Sequence, residues 1–566
     1  MQKLDAVLKA RASRVTGRSR VIIRAASGAS ANSVSTLIRV AGGKSGRALP
    51  LIGASVAELP NAAILALAGH PLVAQVSQDR PIVGAMERTG ATVGATVVRR
   101  DLGYDGTGVG VAVIDSGVAA HDDLAGSQVD RFVDFVNGNQ EPYDDYGHGT
   151  HVAGIIAGNG FDSDGARSGI APGAHLTVLK VLDASGQGHI SDVIAALDYV
   201  VANKDALNIR VVNLSVATGV YESYQTDPLT LAARRVVEAG VVVVAAAGNN
   251  GRDPGGLPRH GGITAPGNAP WVLTVGASSH MGTVDRADDT MATFSSRGPT
   301  AVDLGAKPDV VAPGVGIESI VAPESTLYST RSQYLLDGTV ATAYRPYLSM
   351  SGTSMAAPVV AGTVALMMQA NPALTPNEVK AIIQYTAQVR GLYDPLTRGG
   401  GFLNAEGAVR LARYLSDPSS VSYPDSTGWS KRLIWGNQML RGGRFTADAN
   451  AWDIDVTWGA SETPGGQSVE WGRLCGNWQC SSTAGPWRWG QASALNVVWG
   501  PSCDGADCSG PWTGNVWDTS DEGDTVVWGT TDEGDTVVWG TAEEDTVVWG
   551  TSCSDSDCEP VLWNGR

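Results

Sequence analysis

No cysteine occurs before residue 475, and the 566-residue chain has six in all. A disulfide framework or a thiolate metal centre is therefore excluded for most of the chain. Long apolar runs are also missing, since none reaches the ~18 residues of a membrane helix. The opening, MQKLDAVLKARASR, carries charges but no apolar h-region, so no signal peptide is visible. Export then uses something unseen, or a leader lies upstream. Tryptophan is almost absent from the first 420 residues, because 15 of the 16 lie beyond them. Basic residues are outnumbered 40 to 57, and no clustered basic footprint of a nucleic-acid binder is present.

What is present is unevenly spread. The length allows several domains, and 43% hydrophobic residues allow a large core. Residues 1–92 hold 12 basic and 4 acidic residues, a net of +8. Residues 416–566 hold 7 and 22, a net of −15, which leaves −10 for the middle. A basic start beside an acidic body reads as intramolecular complementarity or as two solvated faces. The cysteines fall into three C-x4-C pairs, Cys475/Cys480, Cys503/Cys508 and Cys553/Cys558. Short even pairs favour local disulfides and an oxidising compartment. Zinc would prefer C-x2-C.

Taken in order, RSRVIIRAA (18–26) reads as a strand, and ANSVSTLIRVA (31–41) as a helix opened by Asn32 or Ser33. RALPLIGASVAELP gives two short strands turning at Gly53, and Asn61 caps a second helix. VAQVSQDRPIV (73–83) gives a last strand. The order βαββαβ fits a small split-βαβ domain. Residues 86–100 read as a linker. From 101 to 415 strands alternate with helices: HLTVLKVL (175–182), DVIAALDYVVANK (192–204), IRVVNLSV (209–216), PLTLAARRVVEAG (228–240) and VVVVAAAG (241–248). This alternation predicts a parallel sheet with helices on both faces. Ligands of such sheets bind beyond the carboxyl ends of the strands. Beyond 416 the dipeptide Trp-Gly occurs eight times, and DTVVWGT recurs at 524–530, 535–541 and 545–551. The unit reads as a short strand, a glycine and an acidic turn. It is either a stacked repeat array or unpaired chain.

Three stretches carry chemistry. VGVAVIDSG (109–117) ends a buried strand on Asp115. GHGTHVAGIIAG (147–158) starts a helix at His148. LSMSGTSMAAP (348–358) sets Ser354 at a helix start, with Pro358 in its first turn. Taken singly, these are a strand-end aspartate, a core histidine and a capping serine. Together, in the order Asp115, His148, Ser354, they closely resemble the signatures of the subtilisin-like serine proteases, the subtilases of peptidase family S8.

The resemblance implies an α/β fold with a doubly wound, mostly parallel sheet over 101–415. A small α+β propeptide domain (1–85) of the inhibitory I9 kind would precede it, and a β-rich or partly disordered Trp-rich tail (416–566) would follow. Ser354 would be the nucleophile, His148 the base, Asp115 the orienting acid and Asn249, in AAGN, the oxyanion donor. An extended peptide would pair with Gly186-Gln187-Gly188 on one side and Ser215-Val216-Ala217 on the other. Ala247 and Gly248 would wall the first specificity pocket. With Asn250 and Thr264 at the matched positions no acid is present, which implies apolar or broad preference. The chemistry needs no cofactor. The family often holds structural calcium, for which Asp123 and the loop Asn159 to Asp164, with Asp162, offer oxygens. The implied partners are protein or peptide substrates and the chain's own propeptide, with no nucleic acid and no membrane span. The implied setting is extracellular or at the cell surface, through contact by the tail. A different reading makes the chain a surface-attachment or display protein whose tail is the working part. The acid-acting sedolisins share a serine context but lack the HGTH histidine.

Overall fold

The computed structural model describes residues 17–473 except 30, 80, 85–88, 90, 126–127, 254–255, 282–283, 285 and 391–392, together with positions 3–4, 8, 12, 475–476, 479–480 and 486–488. The DTVVWGT repeats and the cysteines at 503, 508, 553 and 558 lie outside the described residues. Cys475 and Cys480 stand opposite each other across a two-stranded antiparallel ladder.

The N-terminal region follows the expected order. It comprises β1 (Arg18–Ala25), α1 (Ala31–Val40), β2 (Lys44–Leu49), β3 (Ala54–Pro60), α2 (Ile64–Ala68) and β4 (Val73–Gln78). The strands form an antiparallel sheet ordered β2-β3-β1-β4. Gly53, at φ 62°, makes the left-handed turn that glycine tolerates best. Side chains alternate along a strand, and β1 uses both faces. Val21 and Ile23 cluster with Val34 and Ile38 of α1. Ile22 joins Leu49 and Val56 in a different cluster, with Leu197, Val200 and Leu229 of the larger body. The single strand expected over 73–83 is two. A separate β5 (Pro81–Gly84) leaves the N-terminal sheet.

The larger body is built on β6 (Gly110–Asp115), β7 (Val129–Asp134), β8 (His175–Lys180), β10 (Ile209–Leu214), β12 (Val242–Ala246), β13 (Leu273–Ser279) and β15 (Val310–Pro313), all parallel. One short strand, β14 (Thr290–Met291), pairs antiparallel with β13. Two others, β9 (Gln187–His189) and β11 (Val216–Ala217), stand outside this sheet. The order is β14-β13-β12-β10-β6-β8-β7, with β15 also on β13. The chain winds first to one side of β6 and then to the other. The crevice at the carboxyl end of β6 is therefore the topological switch point. Every residue of β6 is buried, as a strand covered on both faces requires.

Helices α3 (His148–Ala157), α4 (Ile190–Asn203), α5 (Pro228–Glu238), α6 (Thr353–Ala370), α7 (Pro376–Thr386) and α8 (Ala405–Ser416) cover the sheet. The α6 helix is buried at every position but Gln369. It is long and apolar enough to cross a membrane, yet it is buried within the protein, as in a core helix.

Two expected boundaries shift. Of the linker expected over 86–100, residues 91–100 form short helical turns that run on to Leu102. Their Val93, Ala95 and Val98 belong to the main core. The composition change at 415 is no packing boundary either. Trp435, Trp452, Trp458 and Trp471 share one core cluster with Val379, Ile383 and Leu411. All of α7 is buried, and residues 432–458 bond it directly. Asn377 Nδ2 donates to the Val456 carbonyl at 2.7 Å, and Gln384 Oε1 accepts the Ile434 N–H at 2.8 Å. Trp435 and Trp458 pack with ring centres 4.5 Å apart and planes tilted by 47°. Their following glycines meet, and a Cβ on Gly459 would lie 2.9 Å from Gly436 Cα.

Candidate active site

Asp115 closes β6 at the switch point, and His148 opens α3 beside it. His148 Nδ1 lies 2.5 Å from Asp115 Oδ1, and both side chains are fully buried. Asp115 Oδ1 also accepts the Ser116 N–H at 2.7 Å. An ionised carboxylate facing Nδ1 selects the tautomer with hydrogen there, which leaves Nε2 as the basic nitrogen. The Tyr146 ring stacks over His148 at 6.3 Å and 29°. Burial, then the charge of Asp115, pushes the Tyr146 phenol up to about 12, so it stays neutral. Gly186, at φ 73°, backs that ring, where a Cβ would stand 2.4 Å from it.

Ser354 is the second residue of α6 and is 2% exposed. Pro358 lies one turn inside the helix rather than in its first turn. Its missing N–H would have bonded the carbonyl of Ser354. That carbonyl accepts the Ser215 hydroxyl at 2.6 Å instead, and Asn213 Nδ2 holds the same hydroxyl at 2.9 Å. Ser215 follows β10, the neighbour of β6, so Ser354 is tethered beside the Asp115 strand end.

Asn249 follows β12. Its Oδ1 accepts the Thr353 N–H at 3.0 Å and the Thr353 hydroxyl at 3.1 Å. With the oxygen so engaged, the amide presents its N–H2 on the other side. The Thr353 hydroxyl in turn accepts the Gly248 N–H at 3.1 Å. Gly248 needs its glycine: φ is 98°, and a Cβ would meet Thr264 at 2.7 Å. Thr264 N–H donates to the Ala247 carbonyl at 3.1 Å, and Asn250 Nδ2 donates to Gly262 O at 3.2 Å.

The two expected peptide-pairing segments fall partly in strands, with Gly186 and Ser215 just outside them. Gln187 and Gly188 lie in β9, and Val216 and Ala217 make β11. Between them runs β5, antiparallel to both, with Ile82 opposite Gly188, Val83 opposite Gln187 and Ala217, and Gly84 opposite Val216.

Two of the expected calcium oxygens, on Asn159 and Asp164, are bonded elsewhere. Asn159 Oδ1 accepts the Phe161 N–H, and Asp164 Oδ2 accepts the Thr339 hydroxyl. Asp123, Asp162 and His121 do come together, all buried. Yet Asp123 already accepts the Asp162 N–H and the Tyr347 hydroxyl, each at 2.8 Å. His121 accepts the Asp123 N–H and faces the Pro346 carbonyl. Only the Asp162 carboxylate lacks a hydrogen-bond donor there, and burial raises its pKa.

Sequence reasoning missed Ser116, Asp144, Tyr146 and Thr353. The only signal was proximity: each sits within four residues of Asp115, His148 or Ser354.

A family model described as the subtilase family, Peptidase_S8, matches residues 106–410. Serine protease AprX of Bacillus subtilis (strain 168) is 38% identical over 352 residues, covering 60% of this chain and 76% of the relative. Subtilisin Savinase of Lederbergia lenta is 34% identical over 311 residues, covering 54% and 93%. Among solved structures, fervidolysin from Fervidobacterium pennivorans, a keratinolytic enzyme related to subtilisin, aligns with a TM-score of 0.53 and 25% identity, covering 70% of this chain and 61% of that one. The chain belongs to the subtilase family of serine endopeptidases.

Proposed function

We propose that this chain is the self-processing precursor of a secreted endopeptidase that works by acyl transfer. Ser354 Oγ attacks the scissile carbonyl while His148 Nε2 takes its proton. Asp115 holds the imidazole and stabilises the imidazolium. Asn249 Nδ2 and the Ser354 N–H donate to the oxyanion. The C–N bond then breaks as His148 gives its proton to the leaving amine, and water repeats the sequence on the acyl-enzyme. The observation that carries this reading is the 2.5 Å contact between His148 Nδ1 and Asp115 at the switch point of the sheet. Substrates are proteins or peptides bound as an extended strand between β9 and β11. Calcium is not required for any step.

Residues 1–85 act as an inhibitory propeptide, and β5 occupies the groove in a substrate's place. This is supported by the antiparallel pairing of β5 on both edges. Because the turns from Ala91 onward are part of the core, the chain cuts itself between Gly84 and Ala91. The setting is outside the cell, where the C-x4-C pairs would oxidise. The test is expression of wild type, Ser354→Ala and His148→Ala without other proteases. Wild type should mature, with a new N-terminus at 85–91, and should digest casein until a serine-directed inhibitor is added. Both variants should stay uncut. Trimming of Ser354→Ala at the wild-type rate would sink the self-processing account, and casein digestion by it would sink the nucleophile.

A further inference from the structure

The N-terminus of α3 has an unusual cap. The N-cap residue, Gly147, has φ 102° and no side chain to offer. The missing acceptor comes from Asp144, three residues earlier and 5% exposed. Its Oδ1 accepts the Gly147 N–H at 2.7 Å, and its Oδ2 accepts the Thr150 N–H at 2.8 Å and the Thr150 hydroxyl at 2.7 Å. A fourth donor comes from the other catalytic element: the Ser116 hydroxyl donates to Asp144 Oδ1 at 2.8 Å. That hydroxyl also accepts the Gly149 N–H at 2.8 Å. Gly149 can take no side chain, since a Cβ would lie 2.2 Å from the Gly117 carbonyl.

These bonds close a ring. Asp115 is covalently joined to Ser116, Ser116 is bonded to Asp144, and Asp144 and Ser116 together bond Gly147, Gly149 and Thr150, which flank His148. Resting on the proposed role of His148 as base, we infer that Asp144 is a positioning residue that fixes the imidazole against Asp115. The physical argument is the fit of donors to charge. A carboxylate offers acceptors only, and all four partners are donors. It also sits at the positive end of α3, where an anion is favoured. An amide in its place would turn an N–H2 group toward two of those donors. The ring would open, and His148 would lose its fixed place relative to Asp115 and the nucleophile.

The test is Asp144→Asn in the full chain, matured and assayed on a peptide substrate, with kcat expressed per folded molecule. The expected result is a fall in kcat of about 10–100-fold, the scale of an ångström-sized misplacement, with KM within about twofold. Ser116→Ala should fall in the same direction, and the double variant should lose less than the product of the two single losses, because both open one ring. Should Asp144→Asn not fold, Ser116→Ala carries the same test through its own kcat–KM split. A wild-type kcat per folded molecule, a rise in KM at constant kcat, or multiplicative losses would each overturn the inference. Activity retained by His148→Ala would instead overturn the reading on which it rests.

Discussion

Asp79 of the N-terminal region caps Ser191 of the larger body. Its Oδ1 accepts the Ser191 N–H at 2.9 Å, and its Oδ2 accepts the Ser191 hydroxyl at 2.7 Å. Ser191 lies in the first turn of α4, whose own N-cap residue, His189, makes no side-chain cap bond. The N-terminal region thus completes a helix that it does not contain. Arg20 holds the same carboxylate at 2.5 Å, and nearby Arg47 pairs with Asp192 at 3.0 Å.

Removing this cap should weaken the hold of the N-terminal region. Loss of a capping aspartate costs about 1–2 kcal/mol, which is about 5–30-fold in affinity. Asp79→Ala in a separate 1–84 polypeptide should raise its inhibition constant against the mature enzyme by that factor. Arg47→Ala should do less, because the pair is partly exposed and screened by salt. A change below twofold for Asp79→Ala would remove the cap from the binding energetics.

The proposed oxyanion role of Asn249 can be tested by rate. Asn249→Leu should lower kcat by about 10²–10³ with little change in KM, the size of effect that subtilisin's own oxyanion asparagine shows. Thr353→Val should cost less, about tenfold, because the Thr353 N–H still holds Asn249 Oδ1, while the hydroxyl's bonds to Asn249 Oδ1 and from the Gly248 N–H are lost. Equal losses from the two variants would mean that Thr353 does more than orient the amide. A KM effect alone would place Asn249 in ground-state binding.

The parts legible in the sequence were those set by short-range pattern. Asp115 at the end of an apolar run, His148 before Val152 and Ile155, and Asn249 after four valines each announce a strand end or a helix start. The βαββαβ order of the N-terminal region was legible for the same reason. What stayed hidden depends on partners far along the chain. Nothing in Pro81 to Gly84 says that this strand abandons its own sheet for β9 and β11, because alternation gives a strand's faces and not its neighbours. The tryptophans after 420 marked a change in composition, but the burial of Trp435, Trp452, Trp458 and Trp471 against α7 is tertiary. Pro358 read as a first-turn proline, and the Ser354 carbonyl it leaves free has meaning only once Ser215 is seen beside it.

The packing of α7 makes the C-terminal boundary testable. A chain ending at Ser416 would bare α7 and lose the burial of Trp435, Trp452, Trp458 and Trp471, each 5% exposed or less. Each large apolar side chain contributes about 1.5–3 kcal/mol when buried, and a whole domain holds only about 5–15 kcal/mol. Such a chain should be insoluble or unfolded, whereas one ending after residue 490 should mature and cleave peptides at the full-length kcat. An active, well-folded chain ending at 416 would show that residues 421–473 only decorate the enzyme.

Glu378 gives α7 a pH dependence with a definite sign. It is 6% exposed, in the first turn of the helix, and Thr375 Oγ1 accepts its N–H at 3.3 Å. Burial pushes its carboxyl up to about 8, while the Thr375 backbone N–H pulls the other way. An unfolded glutamate ionises near 4.5. Between those values the folded chain holds a proton that the unfolded chain has lost, so stability falls as pH rises through this window. Below about 4.5 the contribution is fully present, and above about 8 it is gone. Glu378→Gln stays neutral throughout and keeps an oxygen for the Thr375 N–H. Measured in the Ser354→Ala background to prevent self-digestion, it should raise Tm at pH 9 by about 2–10 °C, corresponding to roughly 1–3 kcal/mol, and should change it little at pH 5. The same shift at both pH values would mean that the amide merely packs better, and no shift at pH 9 would mean that the carboxylate is solvated there.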